Sequence, residues 1–184
     1  MARTRKVDTD EILDAVERVV AHLGAVGLTL DAVAKEAGIS KSRVVYDYKS
    51  KTALIEAILD RHMARENAHL QHLVAESADT PHPELFGRMK RMLEGPTDSD
   101  NAVCMAITAS MTSDDTIHDR MRAHVEADYA IMEQGPRPRA AQAAHMALIG
   151  FCSHEWFGFR TWTQEERSRI VADVEAIYMN FPDK

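Results

Sequence analysis

The segment Glu36–Lys51, EAGISKSRVVYDYKSK, concentrates side chains that suit contact with a polyanion. Residues 41–51 hold four cationic side chains and two tyrosines, although the chain of 184 residues carries a formal net charge of −7. Arginine and lysine bind phosphates and guanine edges, and tyrosine hydroxyls donate hydrogen bonds to phosphates. The chemistry that this segment offers is therefore recognition of nucleic acid.

Charge also separates this end of the chain from the rest. Residues 1–51 carry nine Lys and Arg against eight Asp and Glu, a net of +1, whereas residues 52–184 carry 13 against 21, a net of −8. The asymmetry predicts a domain over 1–51 that faces an anion and a domain over 52–184 with another role. Apolar residues make up 45% of the chain, which is typical of a globular protein and argues against disorder.

The elements that position the basic segment are predicted to be helices. A first helix is predicted from about residue 9 to Gly27, a short second one after Thr29, and a third after Ser40, from capping residues and apolar spacing. Gly38 permits the positive φ of the turn between the second and third helices. Two short helices joined in this way, with a basic second helix, are typical of a helix-turn-helix that reads DNA.

The remainder of the chain is predicted to be helical as well, because strand-like alternation is nearly absent. The fold class is therefore all-α: a three-helix N-terminal domain with a helix-turn-helix, followed by a six-helix C-terminal domain. Six further helices are predicted. The fourth is capped by Ser50 and begins at Lys51, the fifth follows the turn that ends at Pro83, and the sixth spans 101–112. The seventh is capped by Ser113, the eighth has Pro138 in its first turn, and the ninth begins with a Thr163–Glu166 capping box.

Residues 28–55, LTLDAVAKEAGISKSRVVYDYKSKTALI, closely resemble the DNA-binding domain of the TetR family of bacterial transcriptional repressors, without an insertion. The similarity extends over about residues 8–60. It implies a homodimer, released from double-stranded operator DNA by a small effector. The residues that the segment and the resemblance assign to DNA contact are Thr29, Ser40, Lys41, Ser42, Arg43, Tyr46, Tyr48 and Lys51.

Three residues depart from the family's usual pattern. Ser42 stands where glycine is usual, Val45 where tyrosine is usual, and Asp47 where histidine or tyrosine is frequent. A carboxylate beside the DNA backbone would be repelled, so Asp47 either accepts a hydrogen bond from cytosine N4 or holds Arg43 or Lys49 in place. The departures leave open an alternative function, a ligand- or protein-binding module that has lost DNA binding.

Small and apolar residues recur along the last two predicted helices. The resemblance implies that these helices form the dimer interface as a four-helix bundle, and the stripe permits close approach of helices. The alternative is that both helices fill the core of a single protomer. The predicted interface residues are Ala140, Ala144, Ala147, Phe151, Ile170, Val174 and Ile177.

Methionines and aromatic residues of the C-terminal domain predict an adaptable apolar effector site. Glu155 lies among them, and a buried carboxylate near aromatic faces would suit a lipophilic cation. The alternatives are that these side chains form the core, and that Glu155 is solvated or paired with Arg160. The predicted ligand residues are Met105, Met111, Met121, Met146, Glu155, Trp156 and Phe159.

Other chemistry receives little support from the sequence. The pairs His69–His72 and Asp114–His118 have spacings that could share an ion, but no four-ligand pattern appears, and no metal or cofactor is expected. No catalytic motif is present, so an enzyme is unsupported.

Cys104 and Cys152 are expected to be reduced and buried. Without an apolar run of membrane length or a signal peptide, a cytoplasmic location is expected.

Overall fold

The computed structural model describes residues 8–182, and within that range the chain forms nine α-helices and no strand, which confirms the all-α fold class. No described helix is both long and apolar enough to cross a membrane. The sequence also offers Arg3, Arg5 and Lys6 either as a further DNA contact or as a solvated tail, and these residues lie outside the described range. The helices are α1 Thr9–Gly27, α2 Leu30–Ala37, α3 Lys41–Asp47, α4 Lys51–Ala75, α5 Pro83–Glu94, α6 Asp98–Met111, α7 Asp115–Met132, α8 Pro138–Trp156 and α9 Gln164–Asn180.

The described residues fall into two compact units. One holds the residues up to Met63 together with Asp98–His118, and the other holds Ala64–Thr97 and the residues from Asp119 onward. The first unit therefore contains α1 to α3, the first half of α4, and α6. The division of the chain into domains at residues 1–51 and 52–184 stays a prediction.

The first unit is built on the apolar face of α1, which packs against α2 and α6. Ile12, Val16 and Val19 recur at helical spacing and are buried, and full burial of such a side chain is worth about 1.5–3 kcal/mol. The guanidinium of Arg61 fastens α4 to the polar side of α1, since it lies 2.8 Å from the Asp14 carboxylate and 2.7 Å from that of Glu17. Only 12% of this arginine side chain is exposed.

The second unit is centred on contacts of α8 with α5 and α9. Tyr178 is fully buried there and meets the rings of Phe86 and His82 edge to face, with centroids 5.8 and 6.2 Å away. The predicted capping box at the start of α9 is confirmed, because Thr163 and Glu166 exchange side-chain and backbone hydrogen bonds. The core of this unit comprises Leu85, Met89, Met132, Ala140, Ala141, Ala144, Leu148, Val171, Val174 and Tyr178.

His145 is a buried titratable group in this second unit. It is only 3% exposed, it lies 4.0 Å from the Asp128 carboxylate, and Tyr129 packs edge to face against it. Burial lowers the pKa of His145 below its ordinary value of 6.5, and the positive charge of Arg88 and His124 acts in the same direction, while Asp128 opposes the shift. Folding therefore favours the neutral form of this imidazole.

Stability is accordingly expected to fall as the pH drops below about 6.5, because the unfolded chain then binds a proton at His145 more readily than the folded chain does. Urea unfolding at pH 7.5 and pH 5.5 measures this loss. The variant His145→Leu should show a smaller loss between the two pH values than the wild type. An identical loss in both proteins would contradict the assignment to His145.

Candidate nucleic-acid interface

The turn between α2 and α3 has the geometry of a helix-turn-helix corner. Gly38 adopts φ 67° and ψ 32°, the left-handed region that favours glycine, and its N–H donates to the carbonyls of Ala34 and Lys35. Thr29 and Ser40 cap the two helices, since their hydroxyls accept from the N–H groups of Ala32 and Arg43. The caps and the turn predicted from the sequence are therefore confirmed.

One side chain anchors α3 to the first unit, and most of the others face outward. Val44 is fully buried, whereas Tyr46 is 78% exposed and the side chains of Lys41, Ser42 and Val45 are exposed as well. The helix therefore presents Lys41, Ser42, Val45 and Tyr46 to a partner, while the side chains of Arg43 and Asp47 are partly buried. This is the arrangement that a recognition helix needs in order to reach base edges in the major groove.

Asp47 holds Arg43 in place by a two-point ion pair across one turn of α3. Arg43 Nη1 donates to Asp47 Oδ1 at 3.2 Å, and Nη2 lies 3.0 Å from Oδ2. The guanidinium also lies 5.7 Å from the centre of the Tyr46 ring. Of the alternatives raised by the sequence, the structure supports the pairing of Asp47 with Arg43. A carboxylate at this position therefore fixes the direction of the cation.

The other cations near the corner make exposed contacts. Lys41 Nζ donates to Asp31 Oδ2 at 2.7 Å, and Lys51 Nζ donates to the carbonyl of Ala25 at 2.5 Å. The hydroxyls of Ser40 and Ser42 lie 3.0 Å apart. An exposed ion pair such as that of Lys41 contributes about 0–1 kcal/mol, so a phosphate can displace Asp31 at small cost. The ammonium group of the exposed Lys51 carries three N–H donors, so it can also donate to a phosphate.

Tyr48 follows α3 and is half-buried. Burial raises the pKa of its phenol, and the negative charge of Asp47 raises the pKa further. The hydroxyl therefore stays protonated at neutral pH. It can donate a hydrogen bond to a phosphate oxygen, as the sequence predicts.

A contact that sequence reasoning missed joins the start of α4 to the start of α7. Thr52 Oγ1 donates to Asp114 Oδ2 at 2.6 Å, while Asp114 Oδ1 accepts from the N–H groups of Thr116 and Ile117. Asp114 therefore caps α7, and the prediction that Ser113 does so is wrong. These hydrogen bonds, that of Thr52 first, lower the pKa of the Asp114 carboxyl. No local pattern relates positions 52 and 114, so only the fold reveals the pair.

Most of the predicted dimer residues are buried within one protomer. Ala140, Ala144 and Val174 lie in the core of the second unit, with Ala147 against it, and Phe151 is buried as well. Their side chains are used within one protomer, which is the alternative that the sequence left open. Ile170 is partly buried and Ile177 is 38% exposed. The spacing of apolar residues indicates the apolar side of α8 and α9. It does not indicate which residues on that side face outward.

The predicted ligand residues are divided between the two units. Met105 and Met111 lie on α6 in the first unit, while the others lie in the second, where Met146 and Phe159 are exposed and Met121 and Trp156 partly buried. Glu155 is buried and forms an ion pair with Arg167 of α9, whereas Arg160 pairs with Glu166. Neither alternative for Glu155, solvation or a pair with Arg160, is therefore correct. Arg167 already neutralises the carboxylate that would attract a cation.

His69 and His72, raised as a pair that could share an ion, each contact an acidic side chain. His69 lies 2.6 Å from Glu94 and His72 lies 3.2 Å from Glu76. Among residues 8–182, no three or more histidine, cysteine or acidic side chains are grouped to hold an ion. Neither cysteine is in a disulfide; Cys152 is buried, but Cys104 is partly exposed, so its predicted burial is wrong.

Comparison with known families identifies the class of protein. Residues 12–58 match the model of bacterial regulatory proteins of the tetR family, and residues 88–178 match a tetracyclin repressor-like C-terminal domain. The chain therefore belongs to the tetR family. It is a transcriptional regulator with a helix-turn-helix and a ligand-binding domain, and it is not an enzyme.

Individual relatives agree with this assignment. An uncharacterized HTH-type transcriptional regulator in the dhlA 5' region of Xanthobacter autotrophicus is 25% identical over 144 residues, covering 76% of this chain and 71% of the relative. A transcriptional regulator from Rhodococcus sp. Rha1 superposes with a TM-score of 0.78 at 16% identity, covering 97% of this chain and 99% of the other. A regulator from Saccharomonospora viridis, solved in complex with choline, has a TM-score of 0.70 at 16% identity, covering 94% and 95%.

Proposed function

We propose that the protein is a cytoplasmic repressor that binds an operator as a homodimer and leaves it when a small hydrophobic effector binds. The observation that carries the proposal is the outward face of α3, where Arg43 is held by Asp47 beside the exposed Tyr46. A guanidinium fixed in this way can offer two parallel N–H groups to guanine O6 and N7. Ser42, Lys41, Tyr48 and Lys51 are assigned to the DNA backbone around it.

Dimerisation through α8 and α9 would use the outward faces of these helices. Met146 and Ile149 on α8 and Ile177 on α9 are exposed apolar side chains. Helices of two protomers that bury such side chains against each other form a four-helix bundle. Two recognition helices must then lie about 34 Å apart to enter successive major grooves on one face of DNA.

The double variant Ile149→Glu/Ile177→Glu is expected to dissociate the dimer, since it would bury like charges in the apolar centre of the interface. Light scattering coupled to size-exclusion chromatography measures the mass. The matched control is Val26→Glu, which adds a carboxylate at an exposed apolar residue of α1 (92% exposed) and should leave the dimer intact. A double variant that retains the mass of the wild type would contradict this interface.

The effector is proposed to be a small molecule with a hydrophobic body. The net charge of −8 over residues 52–184 favours a cation, and the choline complex of the Saccharomonospora viridis regulator shows that a protein of this fold holds one. Such a ligand would need a carboxylate other than Glu155, or would have to share Glu155 with Arg167. Thermal-shift measurements with matched cationic, neutral and anionic hydrophobic compounds test the proposal, and a response to fatty acyl compounds alone would contradict the cationic version.

Release from DNA requires that the effector bind better to a conformation with different spacing of the recognition helices. α4 is the proposed link because Lys51 and Thr52 form its first turn and it continues as one helix to Ala75. The hydrogen bond between Thr52 and Asp114 ties this first turn to the α6–α7 corner. A shift of that corner would therefore move the start of α4.

A further inference from the structure

Three side chains of the first unit form a nucleophile–base–acid arrangement that DNA binding does not use. Cys104 Sγ on α6 lies 3.9 Å from His62 Nε2 on α4, and His62 Nδ1 lies 3.8 Å from Asp100 Oδ1, one turn before Cys104. The His62 side chain is 15% exposed and that of Asp100 25% exposed. Cys104 itself is partly exposed, in contrast to the buried Cys152.

His62 lies between the Cys104 thiol and the Asp100 carboxylate, and this order suits it to act as a base toward the thiol. At 3.8 Å from Nδ1, the Asp100 carboxylate is too far for a hydrogen bond but near enough to attract a positive charge on the ring, and Nε2 is the ring nitrogen that faces the thiol. An imidazole in this position accepts the thiol proton, and the Asp100 carboxylate stabilises the resulting imidazolium. An ordinary cysteine is only a few per cent thiolate at pH 7, so a neighbouring base increases its reactivity.

The cluster also contains an unused hydrogen-bonding group. The amide oxygen of Asn101 is buried and has no hydrogen-bond partner among the described residues. Asn101 and Cys104 are three positions apart on α6 and therefore lie on the same side of the helix.

We propose that Cys104 is a site of covalent modification by soft carbon electrophiles of the α,β-unsaturated carbonyl class, with His62 as the base and Asp100 as the positioning residue. His62 takes the thiol proton, and the sulfur bonds to the β-carbon while the electron pair of the carbon–carbon double bond moves toward the carbonyl to give an enolate. The imidazolium then returns the proton to the α-carbon. The product is a thioether, and the addition consumes no oxidant or reductant.

The second cysteine is an internal control within the same chain. Cys152 is buried on α8, and burial together with the nearby Glu155 raises the pKa of its thiol to about 12. Its thiolate is therefore scarce at neutral pH, and its position excludes reagents. The two cysteines are expected to differ in reactivity although both are reduced.

N-ethylmaleimide, itself an α,β-unsaturated carbonyl, is the probe. With one equivalent at pH 7, intact-mass and peptide mass spectrometry should find a single adduct, on Cys104, and Cys104→Ser should abolish it while Cys152→Ser does not. His62→Gln and Asp100→Asn should slow labelling, the former by about 10-fold or more. At pH 10, where thiols ionise without a base, wild type and His62→Gln should react at similar rates.

Labelling of Cys152 before Cys104 would overturn the proposal. So would a wild-type rate at pH 7 in a folded His62→Gln protein, since the thiol would then be accessible but not activated. A rate deficit in His62→Gln that persists at pH 10 would also overturn it, because it would show a lost structure rather than a lost base. Circular dichroism melting establishes that the variants are folded.

The regulatory consequence rests on the proposed function, whereas the labelling does not. A substituent on Cys104 lies between α6 and the helix that begins at Lys51, so modification is expected to weaken DNA binding at least 3-fold in fluorescence anisotropy. Cys104→Ser should bind DNA normally and lose the response to maleimide. If Cys104 is labelled and DNA affinity is unchanged, the modification has no regulatory role; if unlabelled protein binds no DNA, the proposed function fails instead.

Discussion

Replacing Arg43 with alanine is expected to abolish discrimination at particular base pairs of the operator, at a cost of about 1–3 kcal/mol, or about 5- to 150-fold in affinity for the preferred sequence. The reason is that Arg43 is the cation of α3 whose direction is fixed, by the two-point pair with Asp47. Fluorescence anisotropy with the preferred duplex and with single base-pair substitutions measures the change.

The matched control is Lys51→Ala, which removes a cation assigned to phosphate. It should weaken binding to every sequence alike and reduce the dependence of affinity on salt. Asp47→Asn should keep the charge of Arg43 but loosen its direction, so discrimination is expected to fall while affinity for unrelated DNA does not. If Arg43→Ala retains the base preference of the wild type, Arg43 does not read bases.

Replacing Arg167 with leucine is expected to destabilise the protein by about 3–5 kcal/mol, because it leaves the Glu155 carboxylate buried without its ion-pair partner. Both side chains are only 7% exposed, and Arg167 also donates to the carbonyl of Met92 at 2.9 Å. Urea unfolding followed by circular dichroism measures the loss of stability. The same substitution at Arg160, whose pair with Glu166 is exposed, should cost at most about 1 kcal/mol.

The double variant Glu155→Leu/Arg167→Leu separates structure from ligand binding. Replacing both members of a buried ion pair by apolar residues is often neutral, so most of the stability should return. If the double variant is stable and still responds to the effector, Glu155 is structural. A single variant Arg167→Leu as stable as the wild type would contradict the burial of the pair.

The helix-turn-helix could be predicted in detail because its signals are local. The hydroxyls of Thr29 and Ser40 cap their helices by accepting from the backbone N–H three positions later. The left-handed backbone conformation at the turn favours glycine, which the sequence supplies as Gly38. The pairing of Asp47 with Arg43 was one of the stated alternatives, since side chains four positions apart on a helix face each other. Contacts between residues three or four positions apart depend little on the rest of the fold, so the sequence is enough to predict them.

The C-terminal half was harder to predict because its decisive contacts are distant in sequence. Apolar spacing marks a buried face on α8, but it does not tell whether that face is buried within one protomer or between two. Ala140 and Ala144 are buried within one protomer. The partner of Glu155 is Arg167, twelve positions away across a helix connection, rather than the nearer Arg160. The hydrogen bond of Thr52 with Asp114 spans a still larger separation.

Selection of duplexes from a random-sequence pool by the full-length protein, followed by sequencing, tests the central claim most directly. If two copies of the corner at Gly38 present α3 to DNA, the enriched sequences should be inverted repeats with half-sites centred about 10 base pairs apart. Position-specific preference should disappear in Arg43→Ala. Enrichment of no motif, or of a single half-site without a repeat, would contradict a dimeric operator-binding regulator.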